Sequence, residues 1–585
     1  MNRILLFLCI TSCVVAGCKP SRPVPGSHRS VGMAAGRSDR EHLDAAMDYL
    51  QRADEFEESQ ASSQVAYHLN RWLETQTASA AWEADALVAK MPRDIRNSRD
   101  VADLGRLRFA VEDSKALQEA VWLKQISKWV SPRVADSALE DWIKQTLGGK
   151  DAVEAEQLLV ASRLFDWTIR NIRLDELLPY PADVAAQPTP EPGKVTPTIV
   201  PAPQRGVPGP GYQFHPWQVL LYGRGDAWQR ARLFILLCRQ EGVDAVMLAF
   251  PGKTTTPRPR PWLVAVLIGK QLFLFDTRLG LPVFGSQGQG IATLEQVLAD
   301  HSLLDALNLD EQRRYPLEIS DLGEILALQD ASAAALSRRM NLLERQLSGQ
   351  NRVVLTTSPS SIRERLMACR GISDSRIWSV PFEAAWYQRA LMQLIEKNPQ
   401  AAAEFYRQFG VFTMRNTLVR GRYLHFRGLL DSQGETVGAK SLYLDTRLPR
   451  EQLNVFATSE EVQRSLGFER EQGERESFWK GRLQSAQIMM TQAKQHATYW
   501  LGLAQYDTDK LDAAIEWFDR RTLQAGDDSP WISAARYNLG RTHEQLRDVE
   551  QACRCYEAGD ASPQDYGNRL RARWLRQTRG KPATN

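Results

Sequence analysis

Gly223-Arg224-Gly225-Asp226-Ala227-Trp228-Gln229-Arg230-Ala231-Arg232, followed by Leu233–Cys238, is the stretch on which the fold of this chain turns. Gly225 and Asp226 form a helix-start signal, with Asp226 as N-cap. Its carboxylate can accept from backbone N–H groups that the first helical turn leaves without partners. From Leu233 to Cys238 all six residues are apolar, so the helix carries apolar groups right round it and should be buried on nearly every side. It should end near Gly242. Three β-rich runs follow, Ala245–Phe250, Trp262–Ile268 and Gln271–Phe275, the last two joined by a turn at Gly269-Lys270. The expectation is a buried helix followed by an antiparallel meander.

That helix, the short loop before it and the meander after it resemble the transglutaminase-like fold, a relative of the papain-type cysteine peptidases. The resemblance covers roughly residues 152–285 and includes Leu164-Phe165-Asp166-Trp167 and Asn171-Ile172 as the opening helix. In that family a cysteine starts the central helix and an alanine four residues later packs inside. A histidine opens the next strand as His-x-Trp, and an aspartate follows the strand after that. By this correspondence Ala231 takes the packing place, Trp262 that of the tryptophan and Asp276 that of the aspartate. The cysteine's place holds Ala227 and the histidine's holds Arg260. The family's chemistry needs a thiolate, stabilised by a helix N-terminus and by an imidazole that takes and returns its proton. A methyl group cannot attack a carbonyl, and a guanidinium that stays protonated cannot be a base. The domain is therefore expected to be a pseudoenzyme, with Arg260 and Asp276 forming an ion pair and Cys238, eleven residues into the helix, an inert core thiol. The alternative is a peptidase or amide-transferring enzyme with a non-standard nucleophile, Asp226 being the candidate. Asp226, Trp228, Arg260, Trp262 and Asp276 mark the candidate binding groove.

Upstream, Arg3 precedes the apolar stretch Ile4–Gly17 and then Cys18. Fourteen residues are too few to span a bilayer core, and the layout is that of a secretory signal. Val15-Ala16-Gly17-Cys18 resembles the lipobox of bacterial lipoprotein precursors, which implies a diacylglyceryl group on Cys18 as mature N-terminus; an ordinary cleaved signal is the alternative. Residues 18–40, rich in Pro, Ser, Gly and basic residues, form a flexible tether. Beyond the leader and Cys18 only Cys238, Cys369, Cys553 and Cys555 remain, too few for a disulfide framework, and the eight histidines show no H-x-x-x-H spacing. No metal and no cofactor is expected. With Lys+Arg 73 against Asp+Glu 70, nothing demands nucleic acid as a partner.

Residues 41–150 form a helical region, with Leu43, Ala46, Met47 and Leu50 on one face. The transglutaminase-like domain occupies 151–290 and carries a Pro-rich insertion at 179–210, which holds ten of the chain's 29 prolines. It is expected to be a solvated insertion, with a polyproline docking segment as the alternative. Residues 291–475 are expected to be a mixed α/β region of unknown role. There Thr293–Leu307, Leu322–Leu347, Ser361–Arg370, Glu383–Lys397 and Gln400–Gln408 are expected as helices, Arg352–Thr356 and Arg376–Val380 as strands. Thr417–Leu430 and Ala439–Asp445 are expected as a basic hairpin carrying Arg420, Arg422, His425 and Arg427.

At 476–580, Tyr499-Trp500-Leu501-Gly502 recurs as Tyr537-Asn538-Leu539-Gly540, 38 residues on, and the same offset carries Ala514 onto Ala552 and Phe518 onto Tyr556. These pairs resemble tetratricopeptide repeats. Phe478–Gln495 is expected to pack in front and Asn568–Gln577 to cap the end. The resemblance implies a concave surface for a protein or peptide partner; packing against the preceding domains is the alternative. The arginines of the tail (Arg569, Arg571, Arg573, Arg576, Arg579, with Lys581) belong to a solvated last helix or to a basic surface.

The fold class is therefore α+β, multidomain and mostly helical: a transglutaminase-like domain, a small α/β region and a helical repeat. The expected function is that of a non-catalytic cell-envelope lipoprotein scaffold, reaching the membrane through its anchor alone.

Overall fold

The structure, a computed structural model, describes residues 35–579 apart from 53–54, 57, 77–81, 150, 178–211, 253–257, 414–415, 527–528 and 560. The leader, Cys18, most of the tether, the Pro-rich insertion and Lys581 lie outside the described residues. The apolar face Leu43, Ala46, Met47 and Leu50 is buried where α1 (Ala35–Gln51) packs on α2 (Glu58–Leu73), and both lean on α3 (Val111–Val130). The carboxylates of Asp136 and Asp151 then cap α4 (Ser137–Thr146) and α5 (Ala152–Asn171).

Beyond α5, β1 (Arg173–Leu174) pairs in parallel with β2 (Arg224–Gly225), and α6 (Pro216–Tyr222) lies between them in sequence. The central helix α7 (Ala227–Gln240) forms as expected. The Asp226 carboxylate accepts from the N–H groups of Trp228 and Gln229 at 2.9 Å, and the Gln229 side chain returns a bond to the Asp226 N–H at 3.1 Å. All six residues of Leu233–Cys238 are buried. The meander follows as β3 (Asp244–Phe250), β4 (Arg260–Ile268) and β5 (Gln271–Asp276), with Gly269 at φ 59° making the β4–β5 turn.

The sheet does not stop at residue 290. With β6 (Leu281–Pro282), β7 (Ile325–Gln329) and β8 (Ile372–Ile377) it runs β6-β5-β4-β3-β7-β8, antiparallel except for the parallel β7–β8 pair. One face carries Val264, Val266, Phe273 and Phe275 against α5 and α7. The other carries Leu263, Ala265, Leu272 and Leu274 against Leu294, Val297, Leu303 and Tyr315.

Several expected elements differ. Leu322–Leu347 is not one helix but β7 and a later helix, α8 (Arg338–Glu344). Ile325 to Leu328 is apolar on successive residues, and a short all-apolar run fits either a buried helix or a strand buried on both faces. Here Leu326 and Leu328 join one core while Ile325 and Ala327 join the other. Arg352–Thr356 forms no strand. Its backbone groups bond to side chains instead: Val354 to Gln240, and the N–H groups of Leu355 and Thr356 to the Glu344 carboxylate. The strand expected at Arg376–Val380 lies earlier, as β8. The helix expected at Ser361–Arg370 is α9 (Pro359–Met367), and the helices at 380–413 are α10 (Val380–Lys397) and α11 (Pro399–Thr413).

The basic hairpin is replaced by α12 (Thr417–Phe426) and α13 (Ala439–Thr446). Asn416 caps α12 through the Val419 N–H at 2.9 Å, and Gly421 admits the Tyr443 ring, which would stand 2.8 Å from a Cβ there. Arg422 and His425, three apart, are fully buried, while Arg420 and Arg427 are exposed: a helical spacing that alternation does not describe.

In the C-terminal part, the helix expected at Phe478–Gln495 and the first repeat helix are one 31-residue helix, α14 (Glu476–Tyr506). Then come α15 (Leu511–Ile515), continued by a π-helix over Glu516–Leu523, α16 (Ile532–Gln545), α17 (Val549–Glu557) and the capping helix α18 (Asp565–Arg579). The molecule is mostly helical and multidomain. No helix among the described residues is long and apolar enough to cross a membrane.

Candidate functional site

The tip of α7 is where the resemblance places a nucleophile. Ala227 is buried there, and its carbonyl accepts from the Thr277 hydroxyl at 2.8 Å. Burial lifts the Asp226 carboxyl to about 7, with the Asp175 charge adding to the effect against the two N–H groups that Asp226 accepts. One turn on, Arg230 is fully buried, and its bonds go to oxygens that carry no formal charge. It donates to the carbonyls of Ile169, Ile172 and Thr277 and to the Gln564 side chain. Burial lowers its pKa to about 10. The carbonyls of Ile169 and Ile172 stand at the C-terminal end of α5, where the helix dipole favours a cation.

Strand parity separates the remaining positions from this tip. Phe275 faces α7, so Asp276 faces the opposite core. There it accepts from the Tyr315 hydroxyl at 2.6 Å and from the N–H groups of Arg278 and Leu279 at 2.8 and 2.9 Å. Burial raises its pKa against those three bonds. Trp262 donates to the same Tyr315 hydroxyl at 3.0 Å. Arg260 lies over the Phe250 ring and pairs with Asp321, so the expected Arg260–Asp276 ion pair does not form. The five candidate groove residues thus divide: Asp226 and Trp228 sit with Ala227 at the helix tip, while Arg260, Trp262 and Asp276 serve the far face of the sheet. The β5-end residue that reaches Ala227 is Thr277. Cys238 is fully buried with its thiol pushed well above the ordinary range by burial, and the other described cysteines lie outside α7, at 369, 553 and 555.

The repeat positions, by contrast, meet as their spacing requires. A Cβ at Gly502 would stand 2.5 Å from the Phe518 ring, and one at Gly540 2.5 Å from the Tyr556 ring. Each glycine therefore admits the aromatic side chain of its partner helix. Ala514 and Ala552 are fully buried, and Tyr499, Leu501, Tyr537 and Leu539 are buried with them.

The first helices of the two units face α5. The Tyr499 hydroxyl donates to the Arg170 carbonyl at 3.1 Å, and the Asn538 amide donates to the same carbonyl at 3.0 Å. Behind them runs a buried charge chain. Asp507 pairs with Arg170 at 2.9 Å, Arg170 with Asp166 at 2.8 Å, and Asp166 with Arg541 at 2.8 Å. Arg571 bonds the Glu544 carboxylate. Burial would raise the Glu544 carboxyl, yet the guanidiniums of Arg571 and Arg541 hold it at about 2. A cavity of about 40 Å³ lined by Phe165, Asp166, Phe275, Tyr537, Arg541 and Trp574 lies at this junction. Of the tail arginines, Arg569 bonds Asp565, Arg573 the carbonyls of Ala306 and Asn308, and Arg576 Glu557. The last helix is thus tied down rather than merely solvated.

Residues 533–560, the α16–α17 hairpin, match the family model of the tetratricopeptide repeat. This hairpin is a tetratricopeptide repeat. The unit before it, from the second half of α14 through the π-helix, repeats the same glycine–aromatic contact. No curated protein and no solved structure matches the chain.

No pattern in the sequence marks Thr277, Tyr315 or the Arg170–Asp166–Arg541 chain. Arg230 carried a usable signal: a guanidinium on a helix expected to be buried all round must find oxygen partners inside the protein.

Proposed function

We propose that the protein is a non-catalytic scaffold of the cell envelope, lipid-anchored at Cys18, in which an inactive transglutaminase-like domain supports tetratricopeptide repeats that bind a protein or peptide. The observation that carries the proposal is the repeat at 533–560, a class of helical hairpin that serves protein recognition. The helix-on-sheet arrangement of α7 with β3–β5 supports kinship with the transglutaminase-like fold. The methyl group of Ala227, where the family has a thiol, supports inactivity.

Since Tyr499 and Asn538 are engaged with α5, we assign the partner to the outward side of the repeats. There Arg447 lies 4.6 Å over the half-buried Trp517 ring and bonds the Thr498 hydroxyl. Burial and the nearby Arg521 charge lower its pKa. A guanidinium held this way suits a partner segment with a carboxylate.

Crosslinking in intact cells, followed by identification of neighbours, should capture a saturable partner that Trp517→Ala and Arg447→Ala release. Capture of no saturable partner from envelope extracts would remove the scaffold reading. A mass spectrum of the mature N-terminus should show a diacylglyceryl group on Cys18; an unmodified Cys18 or a cut elsewhere removes the anchor.

The Asp226 carboxyl, held near 7 at a helix N-terminus, favours one second reading, an enzyme using that group. Turnover of a peptide amide that disappears in Asp226→Asn would establish it.

A further inference from the structure

Two of the chain's histidines, 26 residues apart and so invisible to a search for local ligand spacing, meet across the first helix pair. Nδ1 of His42 on α1 and Nδ1 of His68 on α2 stand 3.1 Å apart, with the ring planes tilted by 43°. The backbone holds them there firmly. Leu43 and Leu69, their immediate neighbours in sequence, are buried in the core between α1, α2 and α3. The rings of Tyr49 and Tyr67 flank His68 at 5.9 and 5.2 Å. Burial and the neighbouring His42 both lower the pKa of His68, which keeps a lone pair available.

The separation carries the argument. Imidazole nitrogens bind zinc at about 2.0–2.1 Å, and two such bonds spanning 3.1 Å subtend about 98° at the ion. That angle lies between the octahedral and tetrahedral values, so one ion spans both nitrogens once the shared proton leaves and each ring turns its lone pair toward a common point. Imidazole is a borderline ligand that suits Zn²⁺, Cu²⁺ and Ni²⁺, while Ca²⁺ and Mg²⁺ require oxygen. Among the described residues no group of three or more His, Cys, Asp or Glu side chains could hold a metal ion, so water would fill the remaining positions and exchange readily.

We propose that His42 and His68 form a two-histidine site for a divalent first-row transition ion, which fastens α1 to α2. Since α1 begins at Ala35, within the last residues of the expected tether, an ion bound here would brace the helix nearest the anchor.

The test is isothermal titration of the untagged full chain with Zn²⁺ and with Cu²⁺. One equivalent should bind, with Cu²⁺ tighter than Zn²⁺ as the general order for nitrogen ligands requires. His42→Gln and His68→Ala should each weaken binding at least tenfold, while His301→Ala leaves it unchanged. Should His68→Ala fail to fold, His42→Gln decides alone. Absence of uptake by the unmodified chain would reduce the pair to an imidazole hydrogen bond and overturn the proposal. Uptake that survives His42→Gln would overturn it equally.

Discussion

The tip of α7 and the repeat hairpins ask the same thing of a sequence, that residues far apart meet at one spot, and they answer differently. In the repeats, a fixed offset of 38 residues carries the Gly502–Phe518 contact onto that of Gly540 with Tyr556. Helical hairpins translate spacing into contact directly, because each unit packs on its neighbour in one way. At α7, the meeting depends on which side of a strand a residue faces. A single step along β5 decides it: Thr277 reaches Ala227, and Asp276 turns away to Tyr315. A one-residue difference in a strand exchanges the two faces of a sheet, whereas in a helix it shifts a side chain by about 100° around the axis.

The largest test of this contrast is Arg170→Met, at the place where the two regions join. It leaves Asp507 and Asp166 buried with one cation fewer and should cost about 3–5 kcal/mol in chemical denaturation. Because Arg170 bonds both the sheet domain's Asp166 and the repeat's Asp507, a single cooperative transition should move. Two separated transitions would show that the regions unfold independently.

Gly502→Ala and Gly540→Ala come next. Overpacking against an aromatic ring costs about 1–3 kcal/mol, offset by the better helix propensity of alanine, about 1 kcal/mol. The two variants should lose similar amounts. A loss confined to one would break the equivalence of the units.

Asp226→Asn tests the helix tip through pH. The folded carboxyl, lifted to about 7, holds its proton more tightly than the unfolded one, near 3.9. Its contribution to stability is therefore present in full below the unfolded value and is lost as pH rises from about 4 to about 7. Asparagine caps equally well, so the variant should match the parent at pH 4 and show a flatter stability profile above it. An unchanged slope would place the carboxylate in a more polar setting.

The smallest effect belongs to Arg260→Ala. The Arg260 side chain is 37% exposed in its pair with Asp321, and such a pair contributes less than about 1 kcal/mol.

The same distinction between helix and strand governs what was legible in the sequence. The N-cap at Asp226, the β3–β5 meander, the apolar face of α1 and the repeat offsets follow from short-range rules of capping, turn chemistry and periodicity. The places where expectation and structure part are those where tertiary surroundings choose. Leu326 and Leu328 become a strand because β3 and β8 offer open edges on either side. Arg422 is buried because it can donate to the Leu220 carbonyl at the end of α6 and lie over the Trp500 ring. Those neighbours are about 200 and 80 residues away in sequence, and no local pattern announces them.

Arg230 carries one more consequence. Its guanidinium is held jointly by the last carbonyls of α5, by Thr277 beyond the sheet and by Gln564 just before α18. A chain cut short ahead of residue 564 would leave a cation in an oily interior with one of its acceptors gone. The repeats therefore close the α7 domain rather than hang from it, and the two would be inherited and degraded as one unit.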